Sequence, residues 1–320
     1  MPCCAPGVSS ANITSADELQ HAAIQQIQLE KMKHLREALR GIEVPTLKND
    51  VLGELSIAFG TQLNVDGVPN SPSEVSSTFF APCDWPLETL QSETRRARWA
   101  WSDWSRRTID PAILLLVPES VTHWFYKSLL RLSRRAPDLW DSYCSPGSIR
   151  EATGLYLPCR DFYPEPSSWT AYHTSYGKWV QFSPVASELP HASCLVLDSG
   201  TPEDDKILLS EAESAAALVE FQLKDSGYTN HHTKPVLVAT IMRNQTARLT
   251  QAHFDGKQNM LVLRQSRTLD LSGAEPSPDA WLLLRWIASQ QIGETRYSGD
   301  GAKERLLRDD PTNLASQIPV

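Results

Sequence analysis

The apolar and polar positions of this chain change rhythm several times, and each change marks an element. From Asp17 to Arg40 apolar residues return every three or four positions, the period of a helix with one buried face. Ser15-Ala-Asp-Glu18 opens it as a capping box, in which the serine oxygen and the glutamate side chain satisfy each other's first-turn amides. Gly41 closes it. The apolar stripe is broken: Ile24 and Ile27 fall on one line, while Met32, Leu35, Leu39 and Ile42 continue on a shifted one. A coiled coil needs an unbroken repeat, so the pattern predicts an arm packed on the body. Leu55, Ile57, Phe59, Leu63 and Val65 then keep to a period of two, which predicts a strand, and Asp66-Gly67 marks a turn. Residues 66–73 (DGVPNSPS) read as a linker.

Between Pro86 and Pro111 the pattern predicts a helix with Leu90, Ala97, Trp101 and Trp104 on one face. A second helix fits residues 119–135, where Val121, Trp124, Phe125, Leu129 and Leu132 form a stripe. Arg131, Arg134 and Arg135 suit its C-terminal dipole. Residues 156–182 carry eight aromatics, and prolines at 158, 164 and 166 forbid a long helix through the first half. A short strand is expected near Trp179 to Phe182.

The last third has the clearest rhythm. Cys194-Leu-Val-Leu197 is a buried-strand signal, and Asp198-Ser-Gly200 turns the chain. A helix is predicted over 210–225, with Ser210 as cap and Gly227 as stop. Pro235 to Met242, Ala247 to Phe254 and Met260 to Leu269 read as three strands joined by short turns, which requires an antiparallel meander. A final helix starts at Ser277-Pro278 and is expected to stop at Gly293. The fold class expected is α+β, a helical N-terminal half packed on a C-terminal antiparallel sheet with flanking helices. The expected division is an N-terminal helical arm and strand over 1–66, a main α+β domain over 73–297, and a loose tail over 298–320.

Composition narrows the classes. The chain has 320 residues, 41% hydrophobic, with ten tryptophans, enough to bury a sizeable core. Its net charge of -8 disfavours nucleic acid as a partner, because non-specific binding rests on cations neutralising phosphates. The six cysteines form no CxxC pair and read as reduced thiols of a cytoplasmic or nuclear protein. No apolar run reaches membrane-spanning length, and MPCCAPGVSS lacks the apolar core of a signal peptide. Pro2 excludes N-myristoylation, and Cys3-Cys4 reads as a pair of free thiols open to reversible acylation.

The segment KPVLVATIMRNQTARLTQAHFDGKQNMLVLRQSRTLDL, followed by DAWLLLRWIASQQIGETR, resembles a pattern in uncharacterised proteins of filamentous fungi. It covers about a fifth of the chain. The resemblance implies a fungal origin and a shared fold module; it transfers no activity and no catalytic residue.

Candidate chemistry is sparse. His253 and Asp255 are two apart on a strand and face one side, which is how the iron-binding triad of non-haem oxygenases begins. That triad needs a second histidine downstream; here His231 and His232 precede the pair and none follows. No bound metal and no cofactor are expected. Asp198, with Glu203, Asp204 and Asp205, follows the carboxyl end of a strand, where acids bind magnesium or simply suit the next helix's dipole. The helix–three strands–helix order resembles the core of restriction-type nucleases, but MLVLRQSRTL lacks the (D/E)xK that chemistry needs, and Gln222-Leu223-Lys224 lies in the helix. GxSxG, GxGxxG and P-loop motifs are absent.

RRARWAWSDWSRR packs five arginines and three tryptophans into thirteen residues. Arg95, Arg96, Arg98, Trp99, Arg106 and Arg107 are the binding candidates, with Trp101 and Trp104 turned to the core. The leading expectation is therefore a non-catalytic intracellular protein that docks an acidic protein partner on this helix. The rival is an enzyme or binder of a small aromatic or apolar ligand, with Tyr163, Trp169, Tyr172, Tyr176 and Trp179 walling the pocket. Its polar groups would come from Asp198, His231, His232, His253 and Asp255, and the test of that rival is whether they converge.

Overall fold

The computed structural model describes residues 16–67, 77–94, 124–125, 143–144, 155, 157, 159–165, 173–182, 189–200 and 206–297. The chain is an α+β protein built on one mixed sheet with helices on both faces. Helix α1 (Ala16–Arg40) ends as its residues dictate, with the Gly41 amide bonded back to Glu37 and Ala38 carbonyls. Its buried face is Ile24, Leu29, Met32, Leu35 and Leu39, and the apparent break in the stripe is filled by Gln25 and Gln28. Gln25 Nε2 donates to the carbonyls of Leu223 and Asp225, so a polar side chain on the inner face caps a neighbouring helix end.

After α1 come β1 (Thr46–Leu47), the short helix α2 (Asn49–Glu54) and β2 (Ile57–Phe59). The strand predicted from Leu55 to Val65 is thus only three residues long. Leu55 ends α2 and Ser56 takes a positive φ of 55°, and Leu63 and Val65 reach the core from irregular backbone. Period-two spacing reports which side chains are buried, not whether the backbone between them is paired. Strand β3 (Phe80–Ala81) and α3 (Leu87–Thr94) follow. Residues 95–107 lie outside the described residues, as do Glu203, Asp204 and Asp205. Trp124 and Phe125 are helical and fully buried.

The rest of the chain builds the sheet. Its strands are β4 (Tyr143–Cys144), β5 (Cys159–Phe162), β6 (His173–Phe182), β7 (Ala192–Asp198), β9 (Val236–Met242), β10 (Thr246–Asp255), β11 (Met260–Gln265) and β12 (Leu269–Asp270). With β2 they run in the order β2-β11-β10-β9-β7-β6-β4, while β5 pairs with β6 and β12 with β10. β9, β10 and β11 form the predicted antiparallel meander, Thr246 opposite Met242 and Asp255 opposite Met260. The sheet is mixed rather than antiparallel, however. β7 lies parallel to β9 because β8 (Ile207–Leu208) and helix α4 (Leu209–Lys224) cross over between them, and β2 adds parallel to β11.

Alternation along the strands splits the core in two. Cys194, Val196, Val236, Val238, Leu261 and Leu263 face α4, which α1 covers from outside. That sandwiching explains why α4 is buried nearly all round and why its middle is Ala215-Ala216-Ala217. Leu195, Leu197, Leu237, Ile241 and Leu249 face helix α5 (Pro278–Ile287). Ser277 Oγ accepts from the Ala280 amide and Pro278 takes the first turn, as predicted. The helix ends at Ile287, six residues short of Gly293, because Gln290–Gln291 leave it to pair as β13 with β3.

Candidate functional site

The α4-facing positions of five strands should be apolar, yet polar residues stand at several of them. His173 and Ser175 on β6, Asp198 on β7, Thr240 on β9, Arg248 and Thr250 on β10, and Gln265 on β11 share that face. They form a polar belt that crosses the sheet beneath the first turn of α4, where Ser210 and Glu211 meet it. A polar group buried without a partner costs folding energy, so each member has to be accounted for.

Asp198 anchors one end. Its Oδ1 accepts from the Gly200 amide at 2.7 Å and lies 2.9 Å from His173 Nε2, and its Oδ2 accepts from Ser210 Oγ at 2.5 Å. A Cβ on Gly200 would sit 2.8 Å from His173 Cε1 and 2.9 Å from Asp198 Oδ1, so only glycine lets the turn close over the pair. In a nucleophilic triad the imidazole lies between acid and hydroxyl and takes the hydroxyl proton. Here the carboxylate lies between them. Ser210 is held by the acid, and the group ties β6, β7 and α4 together.

Glu211 anchors the centre. Its carboxylate receives Arg248 Nε at 3.0 Å and Arg248 Nη2 at 2.5 Å, a forked pair with both side chains buried. Gln265 Nε2, Thr250 Oγ1 and the Leu208 amide also donate to it. Arg248 Nη1 reaches the Lys206 carbonyl. Thr240 Oγ1 is the belt's unpartnered atom among the described residues.

At its β11 end the belt opens into a cleft of about 540 Å³. The belt residues Arg248 and Gln265 line it together with Asn49, Phe59, Gln62 and Arg267. Arg267 is clamped between Asp66 and Asp279, with four contacts of 2.6–2.8 Å. Those hydrogen bonds hold both carboxyls below the usual aspartate range, against the opposing effect of burial. Phe59 is 40% exposed and gives the rim an apolar face.

The other candidates from the sequence do not gather here. Asp255 accepts from the amides of Lys257 and Gln258 and so shapes the β10–β11 turn. His253 shares its face of the sheet and packs edge-on against Phe79; burial pushes its pKa down to about 4. His231 Nδ1 pairs with Thr295 Oγ1 at 2.8 Å and His232 Nδ1 with Thr233 Oγ1 at 2.7 Å, near the opposite end of β9 from Asp198's neighbour Met242. Only Asp198 belongs to the belt. Tyr163 is exposed, and Tyr176 packs against the core on the α5 side. Trp169 and Tyr172 lie outside the described residues, as do the side chain of Trp179 and all of Arg95, Arg96, Arg98, Trp99, Arg106 and Arg107.

His173, Glu211, Arg248 and Gln265 were not singled out by their spacing. A signal existed: Arg248 and Gln265 interrupt the α4-facing apolar positions of β10 and β11, and Glu211 sits in a helix rich in alanine and leucine. Among the described residues, no group of three histidine, cysteine or acidic side chains is arranged to hold a metal ion, and no helix is long and apolar enough to cross a membrane. No family model matches the chain, and no curated protein or solved structure matches it either.

Proposed function

We propose that this chain is a non-catalytic binding protein whose cleft at the open end of the polar belt takes a small, uncharged ligand rich in hydroxyl or amide groups. The observation that carries this reading is the wall of the cleft. Arg248 and Gln265 are locked in place from behind by Glu211, so the surface they present is preorganised, and preorganisation lowers the entropy cost of binding. The charge is already spent: two arginines, Arg248 and Arg267, meet three carboxylates, Glu211, Asp66 and Asp279. Such a lining favours polar neutral groups over anions, with Phe59 as an apolar flank. A catalytic role is less well supported, because Asp198 and Asp255 are each committed to several donors that hold the fold. The free thiols of Cys83, Cys159 and Cys194 are in keeping with a cytoplasmic or nuclear setting.

Saturation-transfer NMR with a panel of neutral saccharides, nucleosides and amides, beside phosphate and citrate, tests the proposal. A neutral compound should receive saturation, and Gln265→Ala and Phe59→Ala should each weaken it at least fivefold. Tighter binding of phosphate or citrate than of any neutral compound would overturn the reading.

A second reading rests on the five arginines and three tryptophans between Arg95 and Arg107, which suit an acidic protein partner. Glutamate at Arg95, Arg96 and Arg107 together should remove co-purifying acidic partners and leave the melting temperature unchanged. Retention of every wild-type partner by that triple variant would remove this reading.

A further inference from the structure

The belt occupies one end of the sheet. At the other end, where β7 and β9 begin, four histidines from three separate parts of the chain hold one strap, residues 290–297. His191, just before β7, has Nε2 3.2 Å from the Ile292 carbonyl. His231 bridges to Arg296 and pairs its Nδ1 with Thr295 Oγ1. The His232 amide donates to the Thr295 carbonyl at 2.8 Å. His21 of α1 stacks on Tyr297 at 3.8 Å and 6°, and His232 meets the edge of the same ring at 5.6 Å. β13 completes the attachment by pairing with β3.

Beneath the histidines lies Lys234. It is buried, and Nζ donates to the His231 carbonyl at 2.5 Å. Among the described residues no carboxylate stands within ion-pair distance of it. Among the described residues, the other charged or titratable groups around the cluster are Asp17 and Glu18 on the first turn of α1, Tyr228 facing His231, and Glu294 and Arg296 on the strap itself. The two α1 acids favour a charged His21; burial and Lys234 oppose it, and burial prevails. His191 has Phe80 against its ring and is lowered to about 4 by burial, which outweighs the Ile292 and Phe79 backbone bonds that favour its charged form, with His231 adding a smaller push down.

We propose that His21, His191, His231 and His232 form a proton-operated latch, in which acidification charges imidazoles packed between the strap Gln290–Tyr297 and the rest of the protein and frees the strap from the body. Geometry makes the strap the element that yields. It is short, its β13 ladder is only two residues long, and beyond the histidines the described residues that hold it are Phe79, Asn230 and Thr233, each through one backbone bond, and Asp84 through Gln290. The meander, by contrast, is held by three ladders of six or seven residue pairs each. Charge on His21 is opposed by Lys234 and charge on His191 by His231, and like charges in a buried site repel strongly.

Hydrogen exchange read by mass spectrometry on the whole chain tests this, with protection corrected for intrinsic rates. Between pH 7.5 and pH 5.0, peptides covering 289–297 should lose at least tenfold in protection, while peptides covering 236–265 change less than threefold. In His191→Gln and in Lys234→Met the strap should keep its protection at pH 5.0 to within threefold. Unchanged strap protection in the wild type, an equal loss in both variants, or a loss shared by the meander would each overturn the latch. Should a variant fail to fold, the wild type decides: its histidine Cε1–H signals must titrate at the same midpoint as strap opening, and opening without titration overturns the proposal.

Discussion

Arg248 and Glu211, 37 residues apart in sequence, meet as a forked ion pair with both side chains buried, where α4 begins and β10 passes beneath it. Such a pair is a poor source of net stability but a severe liability when halved. Removing one partner leaves an uncompensated buried charge, which costs about 3–5 kcal/mol, whereas replacing both by apolar residues is often neutral. We therefore expect Arg248→Met and Glu211→Leu each to lower stability in urea titrations by that order, and the double variant to recover most of it. If the two single losses simply add, the residues are not coupled and the belt is not the unit described above.

Asp198 is the belt's other anchor, and its substitution separates a tie from a catalytic acid. Asp198→Ala strands the Gly200 amide, the Ser210 hydroxyl and His173, and each hydrogen bond to a charged acceptor contributes about 1.5–3 kcal/mol. The loss should exceed about 3 kcal/mol, with Asp198→Asn recovering part of it because the amide oxygen still accepts. Circular dichroism and urea unfolding measure it. Ser210→Ala removes one donor only and should cost about 1–3 kcal/mol. A stable, well-folded Asp198→Ala protein would leave the carboxylate without a structural role.

What was legible in the sequence was what local chemistry dictates. The meander followed from the turns at Arg243–Thr246 and Asp255-Gly256, and α5 from Ser277-Pro278, because turns and caps are encoded within a few residues. The parallel pairing of β7 with β9 depends on where α4 lays the chain down, which no short window contains. The belt was hidden for the same reason. His173, Asp198, Glu211, Arg248 and Gln265 come from five elements, and apart from Asp198 each alone looks like an ordinary polar residue. The HxD pair stood out because its members are neighbours in sequence, yet Asp255 shapes a turn and His253 packs on Phe79.

Acid should weaken the fold through two histidines at opposite ends of β10 and β7's surroundings. His191 and His253 are both pushed down to about 4 from an ordinary 6.5, chiefly by burial. Between those values the unfolded chain binds more protons than the folded one, so stability falls as pH drops from 6.5 towards 4. Each histidine can contribute up to about 1.4 kcal/mol per pH unit across that window. His253→Leu keeps the packing on Phe79 and removes one titrating group, so its stability should depend less steeply on pH. Urea midpoints at pH 4.5, 5.5 and 6.5 provide the slope; an unaltered slope would mean that His253 is solvated or already paired in solution.

Lys234 acts in a different window. Burial alone lowers its amine from an ordinary 10.5 to about 7. Between pH 7 and 10.5 the unfolded chain keeps a proton that the folded chain has lost, so stability rises with pH across that range. Below about 7 both states are protonated, and the full penalty of a buried ammonium stands. Lys234→Met retains the stem and removes the charge, giving up the hydrogen bond to the His231 carbonyl, a net loss of roughly 1–3 kcal/mol. The charge penalty is of comparable or larger size, so the variant should be as stable as wild type or more so at pH 6.5. Its advantage should shrink steadily towards pH 10. Thermal melts of both proteins at pH 6.5, 8 and 10 measure the difference. An advantage that grows with pH would reverse the sign, and would show that the ammonium is stabilised where it lies.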